Sequence, residues 1–504
     1  MNFKSRFLKP LLLLAGFALA GQMAVAADRL VTGGIVRGTD LPDGSQVFLG
    51  IPYAAPPVGD LRWKPPQVVP AWIGVRDATK APPPCIQHNE GWNEIDAAHG
   101  KEDCLYLSIH TPRHDPSDRL PVLLWIHGGS NRAGSGSYVA KDSTLYQRGV
   151  VVVALEYRLG VFGFLGSPEL TAESPEHASG NYALLDQIAA LKWIRDNIVR
   201  FGGDPGNVTI AGQSAGAYDV SLLLLSPLAR GLFQKAIEES GPLPPPRSLA
   251  ENEKIGDDFA AVMNAPAADR LKFLRAASAE DELTMGDKLT TPQGIDPSAL
   301  WMQPQVDGWV LPKTPARIVA EGGEAKAPLI IGDNTQEIAP DLPPDTLRQM
   351  IVADFGANAA KAQSLYGLSG TGAPADDPLL GAPGTQLLSD TQFHCPDTRK
   401  SDQWLAARLP VWRYRFGVPK PGTKDVRHSA ELEYVFNPMP PGANFGQWPP
   451  VQRYWANFMK SGNPDGPGLP HWPQMGSKRL YMAFTPAGPR IGADFRGAVC
   501  RLLN

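Results

Sequence analysis

Three uninterrupted apolar runs of strand length constrain this chain most: Val122-Leu123-Leu124-Trp125-Ile126, Val150-Val151-Val152-Val153-Ala154 and Val208-Thr209-Ile210-Ala211. A strand with one wet face alternates apolar and polar residues, whereas a strand covered on both faces does not. Between the second and third runs, Leu184, Ile188, Leu191, Ile194 and Ile198 recur at spacings of three and four within Asn181–Arg200. That spacing makes a helix with one apolar stripe, and the stripe has to face a sheet. Gly202-Gly203-Asp204-Pro205 ends it. Strand, helix and strand at these intervals predict an α/β fold: a mostly parallel, twisted central sheet with helices on both faces.

The rest of the chain fits around that centre. From Leu30 to about Ala81 the sequence is rich in Gly and Pro, with short strand-like pieces such as Val47-Phe48-Leu49-Gly50-Ile51. This predicts an antiparallel edge. Further strands are expected at Ala236-Ile237-Glu238-Glu239, Leu329-Ile330-Ile331 and Val411-Trp412-Arg413-Tyr414. The segment 241–325 has helical pieces and no strong strand, so it reads as a cap-like insertion above the sheet. Residues 369–385, rich in Gly, Pro and Ala, read as a loop or linker. Gln452–Lys460 is helical and Gly462-Asn463-Pro464 stops it.

The first 26 residues read as a signal peptide. Lys4, Arg6 and Lys9 precede an apolar run from Leu11 to Ala20, and Ala24-Val25-Ala26 supplies the small-residue cleavage pattern. The run is short for a bilayer span of roughly 20 residues, so no stable membrane insertion is expected. The expectation is a secreted or periplasmic protein, cleaved near Ala26. Losing those three bases takes the formal charge from -4 to -7. The remaining bases are scattered, which excludes the electrostatic footprint of a nucleic-acid binder. Export puts the four cysteines in an oxidising compartment, where three pairings are open. No cysteine–histidine cluster has zinc-ligand spacing, so no metal site is expected.

The chemistry centres on Gly212-Gln213-Ser214-Ala215-Gly216. This G-x-S-x-G lies between a strand and the helix-capable run Ala217–Leu225, the setting in which a serine hydroxyl is exposed on a tight turn. A serine nucleophile needs backbone N–H groups for the oxyanion of its tetrahedral intermediate. Ala215, just after the serine, supplies one. His127-Gly128-Gly129-Ser130, after the Val122–Ile126 strand, is placed to supply others through Gly129 and Ser130. A base and an orienting acid must follow in chain order, acid first. His428 sits after a strand-like segment and a loop. His394 neighbours Cys395, and His471 lies in a polar turn. For the acid, Glu337 and Asp333 both follow the Leu329–Ile331 strand.

The ordered blocks Phe48–Ala54, Glu102-Asp103-Cys104-Leu105-Tyr106-Leu107, Gly180–Gln187, Phe201–Pro205, Gly212–Gly216 and His428–Phe436 run through the whole mature chain. Together they resemble the type B carboxylesterase and lipase family, which includes cholinesterases. The resemblance implies a single α/β-hydrolase domain over 27–504 and a triad of Ser214, Glu337 and His428, with Glu337 preferred to Asp333. It implies the disulfides Cys85–Cys104 and Cys395–Cys500. It also matches Ser240 to a serine found beside the triad; a helix or turn cap is the other role open to Ser240. The chain departs from the family at Ser130, where a third glycine is usual. It departs again at Gln213, where cholinesterase-like members carry Glu, which disfavours choline-type substrates. Trp92, between Cys85 and Cys104, is a candidate to line the pocket, but its spacing to Cys104 is not the cholinesterase one, and a plain packing role is expected.

The expected activity is hydrolysis of small to medium carboxylic esters through an acyl-enzyme, with no cofactor. The same triad supports a lipase, or an amide or carbamate hydrolase; a non-catalytic binding member of the fold is the remaining reading. Acyl and alcohol preference stay open, as do monomer and dimer.

Overall fold

A computed structural model describes residues 27–115, 117–286, 289, 303–340, 342–370 and 375–503. The expected signal peptide lies outside the described residues, as do parts of the insertion and of the Gly/Pro-rich loop.

Fifteen strands run along the described chain: β1 (Ala27–Val31), β2 (Gly34–Asp40), β3 (Gln46–Pro52), β4 (Val75–Asp77), β5 (Tyr106–Thr111), β6 (Leu120–Ile126), β7 (Val151–Leu155), β8 (Gly203–Gln213), β9 (Lys235–Glu239), β10 (Arg247–Ser248), β11 (Gln305–Val306), β12 (Leu329–Asn334), β13 (Val411–Phe416), β14 (Leu480–Phe484) and β15 (Arg490–Ala493). All but β10 and β11 form one 13-stranded sheet, ordered β1-β2-β3-β5-β7-β6-β8-β9-β12-β13-β14-β15, with β4 pairing off β2. From β7 through β14 every pairing is parallel. The β1–β2, β2–β3 and β3–β5 pairings are antiparallel, the expected edge.

The continuous apolar runs have a simple cause. Successive side chains of a strand point to opposite faces. In β6, Val122, Leu124 and Ile126 enter one core while Leu123 and Trp125 enter the other. In β7, Val151 and Val153 go one way, Val152 and Ala154 the other. The helix Tyr182–Asn197 covers the first face; its whole predicted stripe, Leu184 to Ile194, and Ile198 just beyond it are buried there. The helix Val451–Ser461 covers the second with Tyr454, Trp455, Phe458 and Met459. It ends at Gly462, whose φ of 77° suits a residue without Cβ. Among the described residues, no helix is long and apolar enough to cross a membrane.

The segment 241–325 carries the helices Leu249–Val262, Arg270–Ala276, Ala279–Gly286 and Pro315–Ala320. It also holds the short parallel pair β10–β11, which the sequence pattern does not reveal because each strand is two residues long. Arg62 ties it to the base of the molecule, donating to the Leu274 and Ala277 carbonyls and pairing with Glu102 and Glu282. The loop expected over 369–385 gives way at Pro383 to the helix Pro383–Ser389, with proline at the first helical position, where its missing N–H costs nothing. The two disulfides are Cys85–Cys104 and Cys395–Cys500, with Cα atoms 4.9 and 5.0 Å apart.

Candidate active site

The site lies at the carboxyl ends of the parallel strands, where open α/β sheets place their ligands. β8 ends at Gln213 and the helix Ala215–Leu223 starts two residues later. Ser214 takes up the whole turn, with φ 58° and ψ -128°. Its N–H is anchored on the Glu239 carbonyl at 2.9 Å. The turn closes this tightly because its neighbours lack side chains. A Cβ on Gly216 would sit 2.1 Å from the Ile126 carbonyl oxygen, and one on Gly212 would sit 2.5 Å from the Gly216 carbonyl.

Ser214 and His428 line a cavity of about 440 Å³, with Trp92, Trp125, Tyr138 and Leu432 among its walls. Trp92 is 63% exposed, lies against Gly129 and lines the cavity, so of its two readings the pocket-lining one holds and plain packing does not. The loop closed by Cys85–Cys104 carries it to the cavity instead.

His428 follows β13 on a loop, and its Nδ1 lies 2.6 Å from Glu337 Oε2. The second Glu337 oxygen accepts from Ser240 Oγ at 2.7 Å and from the Asn334 N–H at 2.6 Å. Ser240 therefore serves Glu337 and caps no helix among the described residues. Glu337 is 2% exposed, and these donors replace the water it has lost. Removal from water works against charge on His428. The hydrogen bond and charge of Glu337, with Glu431 behind it, outweigh that and raise its pKa above the ordinary value.

Asp333 lies elsewhere. It sits on β12 opposite Arg415 of β13 and forms an ion pair with that guanidinium. His394 Nδ1 is 3.2 Å from its other oxygen. Burial pushes the Asp333 carboxyl up, but Arg415 and His394 hold it well below the usual range. His394 is thus engaged with Asp333, and His471 pairs with Asp465 at an exposed turn.

Gln213 contributes a feature that residue type alone does not reveal. Its side-chain amide nitrogen lies 3.1 Å from His428 Nε2. With the Nδ1–H donating to the Glu337 carboxylate, the Nε2 lone pair is free to accept from this amide.

Gly129 and Ser130 form the start of a tight loop. The Arg132 and Ala133 N–H groups both donate to the Gly129 carbonyl at 3.0 Å. Gly129 has φ 111°, and a Cβ there would lie 2.1 Å from the Ala133 carbonyl oxygen. Ser130 adopts φ 57°, the left-handed region in which glycine is the easier choice. Ala215 opens the helix that follows Ser214, where N–H groups lack intrahelical acceptors.

Three acids near the site, assigned no role from the sequence, prove to be buried. Glu431 accepts from Asn334 Nδ2 at 2.6 Å, and burial beside Glu337 raises its carboxyl to about 7. Glu239 accepts from Trp455 Nε1 at 2.7 Å, and burial with Glu431 nearby pushes it well up. Asp219 lies on the helix Ala215–Leu223. Among the described residues no group of three or more His, Cys, Asp or Glu side chains is arranged to hold a metal ion.

The carboxylesterase family model matches residues 26–501. The chain is 37% identical over 475 residues to a fumonisin B1 esterase of Sphingopyxis macrogoltabida, covering 89% of this chain and 84% of that one. It is 34% identical over 498 residues to a human (Homo sapiens) cocaine esterase, covering 90% and 86%. Among solved structures, a PNB esterase superposes with a TM-score of 0.82 at 32% identity, covering 95% of this chain and 99% of the other. A carboxylesterase of Geobacillus stearothermophilus gives 0.80 at 31% identity, with 95% and 100% covered.

Proposed function

Since the chain belongs to the carboxylesterase family and is a carboxylic ester hydrolase, we propose that it works through an acyl-enzyme on Ser214, with His428 as base and Glu337 as its orienting acid. The carrying observation is the 2.6 Å contact between Glu337 and His428 Nδ1, in a site whose wall also holds the Ser214 turn. That contact fixes the imidazole as the Nδ1–H tautomer and leaves the Nε2 lone pair to take a proton. Ser214 Oγ attacks the ester carbonyl carbon as its proton passes to His428 Nε2. The N–H groups of Gly129, Ser130 and Ala215 hold the resulting oxyanion. His428 then protonates the departing alkoxide, and the C–O bond breaks. Water, deprotonated by His428, attacks the acyl-enzyme and releases the acid.

Gln213 and Ser214 compete for one lone pair on Nε2. For the serine proton to transfer, the Gln213 amide has to yield that position. Gln213 is thereby a gatekeeper of the base and not only a wall of the pocket. A cavity of about 440 Å³ suits small to medium esters, with alcohol and acyl parts divided between its walls.

The first 26 residues act as a signal peptide, and export to an oxidising compartment suits the two disulfides. N-terminal sequencing of the protein purified from its native host checks this; an intact Met1 would remove it.

The decisive measurement is a rate series on p-nitrophenyl esters of increasing acyl length, with Ser214→Ala as control. Short to medium chains are expected to be fastest. The control should lose at least about a thousandfold in kcat, since loss of a triad member costs at least that much. A control at parental rates would overturn the assignment of the nucleophile.

A further inference from the structure

Asp219 lies four residues beyond Ala215, one turn along the helix that Ser214 opens, and is fully buried. Its carboxylate meets no cation among its described hydrogen-bond partners. Asn131 Nδ2 donates to Oδ1 at 3.1 Å, and Gln187 Nε2, from the helix Tyr182–Asn197, donates to Oδ2 at 2.6 Å. Burying a carboxylate against two neutral amides is expensive, and burial pushes this carboxyl up to about 7 despite both donors. An apolar side chain would fill the same volume without that cost.

Asn131 is equally buried and adjoins Ser130. Ser130 and Asn131 are consecutive non-glycine residues with φ of 57° and 56°. In the left-handed region the Cβ crowds the following carbonyl; Asn tolerates this and Ser does so less readily, and the surroundings hold both residues there. They do so at every polar atom of this pair that has a described partner. Gln303 Nε2 donates to the Ser130 carbonyl at 2.9 Å, and the Gly160 N–H donates to the Asn131 carbonyl at 2.7 Å. Tyr157 OH lies 3.2 Å from Asn131 Oδ1 and 2.7 Å from the His127 carbonyl. Gln303 Oε1 stands 3.5 Å from Asn131 Nδ2.

We propose that Asp219 and Asn131 form a tie that holds the Gly129 and Ser130 N–H groups at a fixed spacing from the Ala215 N–H. The two halves of the oxyanion hole come from different elements, a loop after β6 and a helix after β8. Asp219 rides on the second and grips the first. The inference rests on the assignment of Gly129, Ser130 and Ala215 to oxyanion binding. Neither Asp219 nor Asn131 touches the substrate; both are positioning residues. Donors displaced by about 0.5 Å lose their hold on a tetrahedral oxyanion, while the planar ester binds almost as before. The tie therefore acts on kcat and leaves KM nearly alone.

The test compares the parent with Asp219→Asn, Asn131→Asp and the double variant, with rates normalised to sites titrated by a phosphonate label. In Asp219→Asn, one amide oxygen has to serve two donors. In Asn131→Asp, two carboxylates face each other. The double variant restores the contact with its polarity reversed: an amide on the helix now donates to a carboxylate on the loop, and Gln187 still finds an acceptor. Asp tolerates the left-handed backbone as Asn does. Each single variant is expected to lose about tenfold to a hundredfold in kcat, with KM within about threefold. The double variant should return to within a few-fold of the parent. Affinity for an alkyl boronic acid, which forms a tetrahedral adduct on serine, should fall in step with kcat/KM. Tyr157→Phe removes one anchor of Asn131 without disturbing the carboxylate; it should lower kcat several-fold with KM unchanged, even if a single variant fails to fold. Single variants with parental kcat, losses confined to KM, or a double variant no better than the worse single would overturn the tie. A parent blind to the boronic acid would remove the oxyanion assignment, and the tie with it; a sensitive parent with indifferent variants would remove the tie alone.

Discussion

At the scale of residues, His428 is held between an acid and an amide. Glu337 favours the imidazolium, so the base stays protonated to a higher pH than a free histidine of about 6.5. Only the neutral form accepts the serine proton, so the acidic limb of kcat/KM against pH is expected above about 6.5. Replacing Glu337 by Gln removes the charge; the limb should move down and kcat should fall by about 10⁴, as expected when the orienting acid is lost. Gln213→Glu places a carboxylate about 3 Å from Nε2, where Coulomb attraction favours the imidazolium. That variant should move the limb up by about one pH unit. A limb unmoved by Gln213→Glu would show that the side chain does not face His428 during turnover. These residues were legible unequally. Ser214 stood out from its motif. Glu337 and Asp333 did not separate by residue type, because both follow one strand and both are acids. The choice lies in the third dimension, where Asp333 faces Arg415 across β12 and β13 and Glu337 faces His428.

At the scale of elements, the nucleophile turn depends on contact between backbones. Gly216→Ala would press a methyl group to 2.1 Å from the Ile126 carbonyl, which cannot retreat because β6 pairs with β7 and β8 on either side. Overpacking of a rigid interior costs about 1–3 kcal/mol, occasionally more. The variant is expected to unfold at lower denaturant and to lose activity through a displaced Ser214; a parental midpoint in a urea titration would contradict this. The strands and helices around the turn were legible where periodicity was strong. The stripe of Leu184, Ile188, Leu191 and Ile194 on Tyr182–Asn197, continued by Ile198, and the apolar run of β6 each follow from a residue's need to bury one or two faces. The two-residue strands β10 and β11 were not legible, because a pairing that short leaves no alternation in sequence. Asn131, in the loop after β6, was equally silent: its left-handed backbone and its grip on Asp219 exist only once that helix is in place.

At the scale of the whole molecule, buried acids set the response to pH. Burial raises Glu156, Asp219 and Glu431 to about 7 and Glu282 to about 9. A carboxyl with a raised folded pKa keeps its proton in the native state while the unfolded chain gives it up near about pH 4. Native protein then binds more protons than unfolded protein, so stability falls as pH rises through that interval. The buried pair Asp333–Arg415 works in the opposite sense only below about pH 4. His110 and His127, which burial lowers to about 4, work in the opposite sense up to about pH 6.5. Above about pH 5.5 these two histidines therefore act over one unit, against three acids up to about pH 7 and Glu282 up to about 9. The thermal midpoint is therefore expected to be higher at about pH 5.5 than at about pH 8.5, by calorimetry at constant ionic strength. The reverse order would mean that these acids are ionised in the folded protein. The sequence by itself determined the sheet at the centre, the covering helices, the serine exposed at a strand-to-helix turn and the set of candidate partners, because burial on two faces and a serine at a tight turn both leave local patterns. The family resemblance preferred Glu337 to Asp333, but only the tertiary structure showed that acid in contact with His428, Gln213 at its Nε2, and Asp219 reaching the loop carrying Ser130. Each of those is a contact between elements far apart in the chain, and the energy that selects it, burial of a polar group against the donors or acceptors that packing brings within reach, does not exist until the elements have packed.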